Sequence, residues 1–171
     1  MNKNHIIVFT DGSSRGNPGP GGWGTVVVYD EKVIELGGRE VMTTNNRMEL
    51  MAAIEALNTV GISGPKIPII VYSDSQYVIK GITEWIYGWI EKGWKNSQKK
   101  AVLNRDLWEA LIKASQNKKI MWKYVAGHSN NVGNERCDEI ATRSALGEKV
   151  DLYDGFLIEY PFTKILKDVP L

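Results

Sequence analysis

The 171-residue chain has one cysteine, two histidines and a net charge of only +1 at pH 7. A single thiol, Cys137, excludes an internal disulfide, and nothing in the composition requires an oxidising compartment. The near-zero charge excludes a protein that coats nucleic acid by bulk charge, while a local basic patch stays allowed. No segment approaches the ~20 apolar residues of a membrane span. The first apolar run is too short for a secretory signal and lacks a cleavage pattern. The expectation is a cytoplasmic protein with no membrane partner. What is present, 43% hydrophobic and 24% charged residues, is ordinary for a folded domain. At this length one core buries about 70% of the unfolded surface.

Two stretches share one pattern. Residues 6–11 read IIVFTD and residues 69–74 read IIVYSD. Such continuous apolar runs suit parallel strands buried on both faces. Side chains alternate with period two, so parallel pairing in matching register brings Asp11 and Asp74 out on one side at one end. Beyond that carboxyl edge is where open α/β sheets build sites. Either aspartate alone reads as a turn or a helix cap. Two in one frame, whose repulsion needs a positive partner, read as half of a metal site.

The Gly/Pro-dense residues 12–24 predict a tight connection in which Ser13 and Asn17 can offer hydrogen bonds to a ligand. Residues 25–29, 32–36 and 39–43 read as antiparallel strands, with turns at Asp30–Glu31 and Gly37–Gly38. Residues 43–57 are the clearest helix. Asn46 with Glu49 three residues on has the form of a capping box, yet Glu49 shares a face with Ala52, Ala53 and Ala56. That stripe lets the helix approach a sheet and carries the acid inward. Further helices are expected at 76–90 and 107–116, and a strand at 120–125. In residues 127–145, His128 lies in a Gly/Ser/Asn loop, Asn134 suits a helix N-cap, and Asp138 shares a face with Ala141, Thr142 and Ala145. This repeats the Glu49 arrangement. Four acids, Asp11, Glu49, Asp74 and Asp138, are therefore expected near one sheet end. Without cysteine or paired-histidine ligands they suit Mg²⁺, with Mn²⁺ as the alternative. Two such ions ~3.5–4 Å apart clamp an in-line phosphoryl displacement.

Residues 85–108 hold four of the six tryptophans, with Lys92, Lys95, Lys99, Lys100 and Arg105 among them. Trp85 and Trp89, at i and i+4, fit a core stripe. Lysines interleaved with aromatics in an irregular segment fit a platform for a nucleic-acid strand. The residues alone leave both readings open.

A set of motifs settles on one family. TDGS at residues 10–13, GNPGPGG at 16–22, TTNNRMELMAAI at 43–54, SDSQYV at 73–78, GITEWI at 81–86, GWK at 93–95, NRDLW at 104–108, GH at 127–128 and NERCDE at 134–139 closely resemble bacterial type 1 ribonuclease H, which cuts the RNA strand of RNA–DNA hybrids. The resemblance implies an α/β fold with a mixed five-stranded sheet flanked by helices. It implies that Asp11, Glu49, Asp74 and Asp138 bind metal and that His128 assists catalysis from its loop. It places Asn17, Asn46 and Gln76 against the RNA strand, and Thr44 and Asn104 in a pocket for a DNA phosphate. Trp85 and Trp89 match the DNA-side groove, and residues 89–100, with Lys92, Trp94, Lys95, Lys99 and Lys100, match the family's basic protrusion. Ile90 and Glu91 stand where bacterial members often carry lysines, and the HSNNVGNE loop lacks a proline often seen there.

The implied activity is hydrolysis giving 5′-phosphate and 3′-hydroxyl ends, by a monomer needing no protein partner. A non-catalytic hybrid-binding module would lack a carboxylate, and a DNA-cutting resolvase would not need the asparagines that face 2′-hydroxyls. Residues 1–159 are read as the catalytic domain and 160–171 as an extension. Its Phe162, Ile165, Leu166 and Val169 are expected to dock on the domain.

Overall fold

The structure is a computed structural model that describes residues 5–61, 67–127, 130–162 and 164–166. Its centre is strand β1 (Ile6–Ser14), which pairs antiparallel with β2 (Gly19–Tyr29) and parallel with β4 (Ile69–Ser73). Strand β3 (Lys32–Thr43) extends the antiparallel side, and β5 (Ile120–Tyr124) extends the parallel side. The register of β1 and β4 matches the repeated frame: Ile6 faces Ile69, and the pairing runs on to Thr10 opposite Ser73. Asp11 and Asp74 are the next residues along.

Among the described residues the sheet has six strands rather than five, in the order β5-β4-β1-β2-β3-β6. The sixth, β6 (Asp154–Phe156), is three residues long and pairs antiparallel with Lys32–Ile34. An Asp-Gly-Phe segment has no alternation from which a strand could be read.

Period-two alternation divides the apolar residues into two cores. Ile6, Val8, Val27, Ile69 and Val71 face α1 (Asn45–Val60), α2 (Gln76–Lys80), α3 (Ile86–Glu91) and α4 (Arg105–Ser115), around a fully buried Trp108. Ile7, Phe9, Val26, Val28, Ile70 and Tyr72 face α5 (Val132–Ala145) and the C-terminal segment. There Tyr160 and Ile165 are buried, and Phe162 and Leu166 are partly so. Val169 lies outside the described residues. Among the described residues no helix is long and apolar enough to cross a membrane.

Three local expectations differ from what forms. The Gly/Pro-dense segment is not a connection throughout, because β1 runs to Ser14 and β2 starts at Gly19. Gly37–Gly38 is not a turn but the middle of β3. These glycines serve packing: a Cβ at Gly24 would meet the Cys137 carbonyl at 2.5 Å, and one at Gly37 would meet Ile140 Cγ2 at 2.5 Å. The expected helix 76–90 is broken by a π-helical stretch, Gly81–Trp85, where Gly81 lies directly against the Trp108 indole. Such π insertions are single-turn features of otherwise α-helical segments. The Asp30–Glu31 turn forms as expected, with both residues at positive φ (46° and 64°), the geometry of a two-residue type I′ hairpin.

The glycine floor under α5 gives a direct test. Gly24→Ala should destabilise the protein by about 1–3 kcal/mol through overpacking. That corresponds to roughly 2–4 °C in melting temperature per kcal/mol for a domain of this size. An unchanged melting temperature would mean that α5 does not rest on this strand.

Candidate metal centre

The site forms where β1 and β4 reach their carboxyl ends. Phe9 and Tyr72 stack on the α5 side of the sheet with centroids 5.3 Å apart, so Asp11 and Asp74, two residues further on each strand, point to that same side. Glu49 arrives from the opposite layer, on α1. Its approach depends on Gly12, where a Cβ would overlap the Met48 and Glu49 backbone. The alanine stripe behind Glu49 lies as the pattern requires, with Ala52, Ala53 and Ala56 all fully buried. Oxygens of Asp11, Glu49 and Asp74 lie within 4.8 Å of one another.

These three acids line a cavity of about 250 Å³ together with Gly12, Ser13, Asn45, Asn134, Glu135 and Asp138. Asp138 shares the cavity but stands outside the close trio; its Oδ1 accepts a hydrogen bond from Thr142 Oγ1 at 3.2 Å. None of these lining residues is basic. Burial, followed by the charges of Asp74 and Asp138, pushes the Asp11 carboxyl up to about 8, despite a hydrogen bond from the Gly12 amide at 2.7 Å. Burial, followed by the charges of Asp11 and Asp74, holds Glu49 well above the ordinary carboxylate range. Glu49 Oε1 accepts from Asn45 Nδ2 at 3.4 Å, while Oε2 is buried with no hydrogen-bond partner. A buried, unsatisfied carboxylate oxygen costs folding energy. A cation at this point would satisfy it and relieve the repulsion, and an all-oxygen donor set fits a hard divalent ion.

The helix starts differ from expectation. Thr44, not Asn46, caps α1, its hydroxyl accepting from the Arg47 amide at 3.4 Å. Asn46 is therefore exposed in the first turn and Glu49 is free for the cavity. Asn131, not Asn134, caps α5, accepting from the Asn134 amide at 3.0 Å. Asn134 is buried in the helix, and its Nδ2 faces Asp74 Oδ2 at 3.5 Å.

The other described residues predicted from the sequence are not among those lining the cavity. Asn17 is exposed, and its Oδ1 accepts from the Asn45 amide at 3.2 Å, tying the glycine-rich segment to the start of α1. Gln76 is exposed at the start of α2, two residues after Asp74. Asn104 donates to the Tyr77 hydroxyl at 3.1 Å and accepts from Arg47 Nη1 at 3.4 Å. Arg47 also grips Asp106 through two bonds of 2.9 and 2.7 Å, so it ties Thr44's helix to Asn104's. His128 lies outside the described residues. Its neighbour Gly127 packs on the Asp74 carboxylate, where a Cβ would meet Oδ2 at 2.9 Å.

The tryptophan–lysine stretch divides between its two readings. Trp89 packs on Trp108 at 5.4 Å and partly joins the core, as does Trp94 beneath Arg105 at 5.1 Å. Trp85 is exposed beside Trp89, and Lys92, Lys95, Lys99 and Lys100 all project into solvent. Sequence reasoning passed over Asn45, Arg47 and the inward turn of Asn134. Asn45 could have been found from its i, i+4 relation to Glu49; the other two carry no local signal.

The acid cluster predicts an inverted pH dependence without metal. Asp11 holds its proton up to about pH 8 when folded but only to about 4 when unfolded. The folded state binds the extra proton between these values, so stability falls as pH rises through that window. Melts in chelator from pH 5 to pH 8 should show this fall. Asp11→Asn should lessen it, the part due to Glu49 remaining, and exceed the parent at pH 8 by on the order of 1 kcal/mol. A parent–variant difference independent of pH would show that Asp11 carries no such repulsion.

The family model RNase H matches residues 3–146 of the chain. A ribonuclease H from Cyanothece sp. is 53% identical over 153 residues, spanning 89% of this chain and 96% of that protein. Among solved structures, LC9-RNase H1, described as a type 1 RNase H with the type 2 active-site motif, superposes with a TM-score of 0.79 at 28% identity, over 99% of this chain and 83% of that one. LC11-RNase H1, solved in complex with an RNA/DNA hybrid, shares the fold with a TM-score of 0.62 at 23% identity, over 83% of this chain and 97% of that one. The architecture, the acid cavity and these likenesses agree: the chain belongs to the ribonuclease H family of metal-dependent endoribonucleases.

Proposed function

We propose that this protein hydrolyses the RNA strand of RNA–DNA hybrids with two divalent ions, Mg²⁺ or alternatively Mn²⁺, leaving 5′-phosphate and 3′-hydroxyl ends. The observation that carries the reading is the trio Asp11, Glu49 and Asp74, with oxygens within 4.8 Å and one Glu49 oxygen buried and unpartnered. When bound, the ions lower the pKa of water and draw off charge from the departing 3′ oxygen. Asp11, Glu49 and Asp74 would hold the ions, with Asp138 from the same cavity completing the ligand set. Asn134 steadies Asp74. His128, next in the chain after Gly127, assists proton transfer or product release without binding metal.

Substrate discrimination is assigned to the rim. Asn17, Asn46 and Gln76 face the RNA strand, where a 2′-hydroxyl distinguishes it from DNA. Thr44 and Asn104, drawn together by Arg47, take a DNA phosphate. Trp85, Trp89 and Trp94 with Lys92, Lys95, Lys99 and Lys100 form the platform for the DNA strand, the exposed lysines binding its phosphates. Residues 1–159 act as the catalytic domain and 160–171 as its extension, in a cytoplasmic monomer.

Cleavage of matched hybrid, duplex DNA and duplex RNA tests the reading, which requires cutting of the hybrid alone. Asp11→Asn should reduce single-turnover cleavage below detection while hybrid binding persists; retained cleavage would overturn the assignment. His128→Ala should slow turnover roughly 10²-fold, the scale for removing a general acid–base group, with metal affinity by calorimetry unaltered. Replacing Lys92, Lys95, Lys99 and Lys100 with alanine should raise KM and reduce its salt dependence, by up to about 0.9 in log–log slope for each phosphate no longer neutralised. A collapse of kcat at constant KM would instead place these lysines in the chemistry.

A further inference from the structure

Helix α5 carries Asn134 and Asp138 into the acid cavity, yet it rests on a nearly smooth floor. Gly22, Gly24 and Gly37 lie beneath it, and a Cβ at any of them would run into the helix. Interlocking ridges and grooves normally fix a helix against its neighbours, and here the sheet offers few. Besides its buried Cys137, Ile140, Ala141 and Ala145, the helix is held by a polar anchor on the flank away from the acids. Residues two apart on an α-helix point about 200° apart, so Arg136 faces away from both Asn134 and Asp138.

Arg136 is 8% exposed, and the Glu35 side chain is fully buried. The guanidinium donates from Nε and Nη2 to the two Glu35 oxygens, each at 2.8 Å. Nη2 also reaches the Asp151 carbonyl at 3.0 Å, and Nη1 reaches Glu139 Oε2 at 2.8 Å. Its face lies 4.9 Å from the Phe162 ring centroid. Glu35 is completed from the C-terminal segment, by the Tyr160 hydroxyl at 2.6 Å and the Tyr153 amide at 3.0 Å. Tyr153, Tyr160 and Phe162 all follow residue 146, where the family match ends.

We propose that Glu35, Arg136 and Tyr160 are positioning residues for the acid cavity: the C-terminal segment clamps one flank of α5 and thereby sets where Asp138 and Asn134 stand on the other. A bidentate arginine–carboxylate pair has a fixed planar geometry, so it resists rotation as well as separation. A roll of α5 that stretched it would swing Asp138 in the opposite sense. Mg²⁺ tolerates such a shift poorly, because it demands near-octahedral ligands at about 2.0–2.1 Å. The inference rests on the reading of the cavity as a cation site. If the anchor only added stability, its removal would lower the melting temperature and leave the cavity unchanged.

Three full-length variants separate these outcomes: Tyr160→Phe, which removes one hydroxyl, Arg136→Lys, and Leu111→Ala as a destabilised control in the opposite core layer. On metal-free protein, amide exchange along α5 is measured and Mg²⁺ is titrated by NMR. Cleavage is then measured at a temperature where every variant is folded. The two anchor variants should exchange faster over residues 134–138 and need several-fold more Mg²⁺ for half-saturation. Their kcat should fall about tenfold at unchanged KM for the hybrid, within the range expected when a group is displaced rather than removed. Leu111→Ala should melt earlier yet keep the parent's Mg²⁺ titration and kcat. Anchor variants that match Leu111→Ala in exchange and Mg²⁺ titration would overturn the proposal. Should the parent take up Mg²⁺ but leave the hybrid uncut, the substrate reading fails alone, and the NMR titration still decides the anchor.

Discussion

The whole site depends on the close approach of α1 to β1 at Gly12. Any larger residue there would push the helix back by the width of a methyl group, and Glu49 would no longer reach Asp11. The approach brings like charges together in a place with little water, which is unfavourable for an isolated fold. The surrounding structure supplies the stabilisation: two apolar cores, a fully buried Trp108 and a β1 paired on both sides hold the acids in place. A bound cation would relieve that repulsion.

Much of this was legible because the informative residues repeat. Asp11 and Asp74 occupy the same frame of two similar strands, and parallel pairing preserved that frame residue for residue. Glu49 and Asp138 each share a helix face with small residues, a pattern that lets a helix approach a sheet closely. The family's motifs then pointed to candidate rim residues that carry no periodicity of their own.

What was misread has physical causes. The caps moved by two or three residues, from Asn46 to Thr44 and from Asn134 to Asn131, because each helix start offers several residues able to cap it. The glycine-rich strands looked like loops, since glycine is ambiguous between flexibility and close packing, and α5 decides between them only once it is in place. Glu35 and Arg136 are 101 residues apart, and their pairing leaves no local trace. Burial alone would raise the Glu35 carboxyl; its bonds from Arg136, Tyr160 and Tyr153 outweigh that and hold it below the ordinary value.

The outer margin of β3 shows how the sheet guards its edge. A free strand edge is a template on which a second copy can add its own backbone. Over Lys32–Ile34 that template is occupied by β6 from the same chain. Further along, Arg39 and Glu40 project into solvent, and beyond them the ladder is interrupted, the pairing jumping from Glu40 opposite Gly21 to Thr43 opposite Gly19. Val41 and Met42, both exposed, fall inside that interruption, where a bulge bends the strand away from regular pairing. Along this margin of β3 the regular pairing surface is thus covered at one end and interrupted at the other.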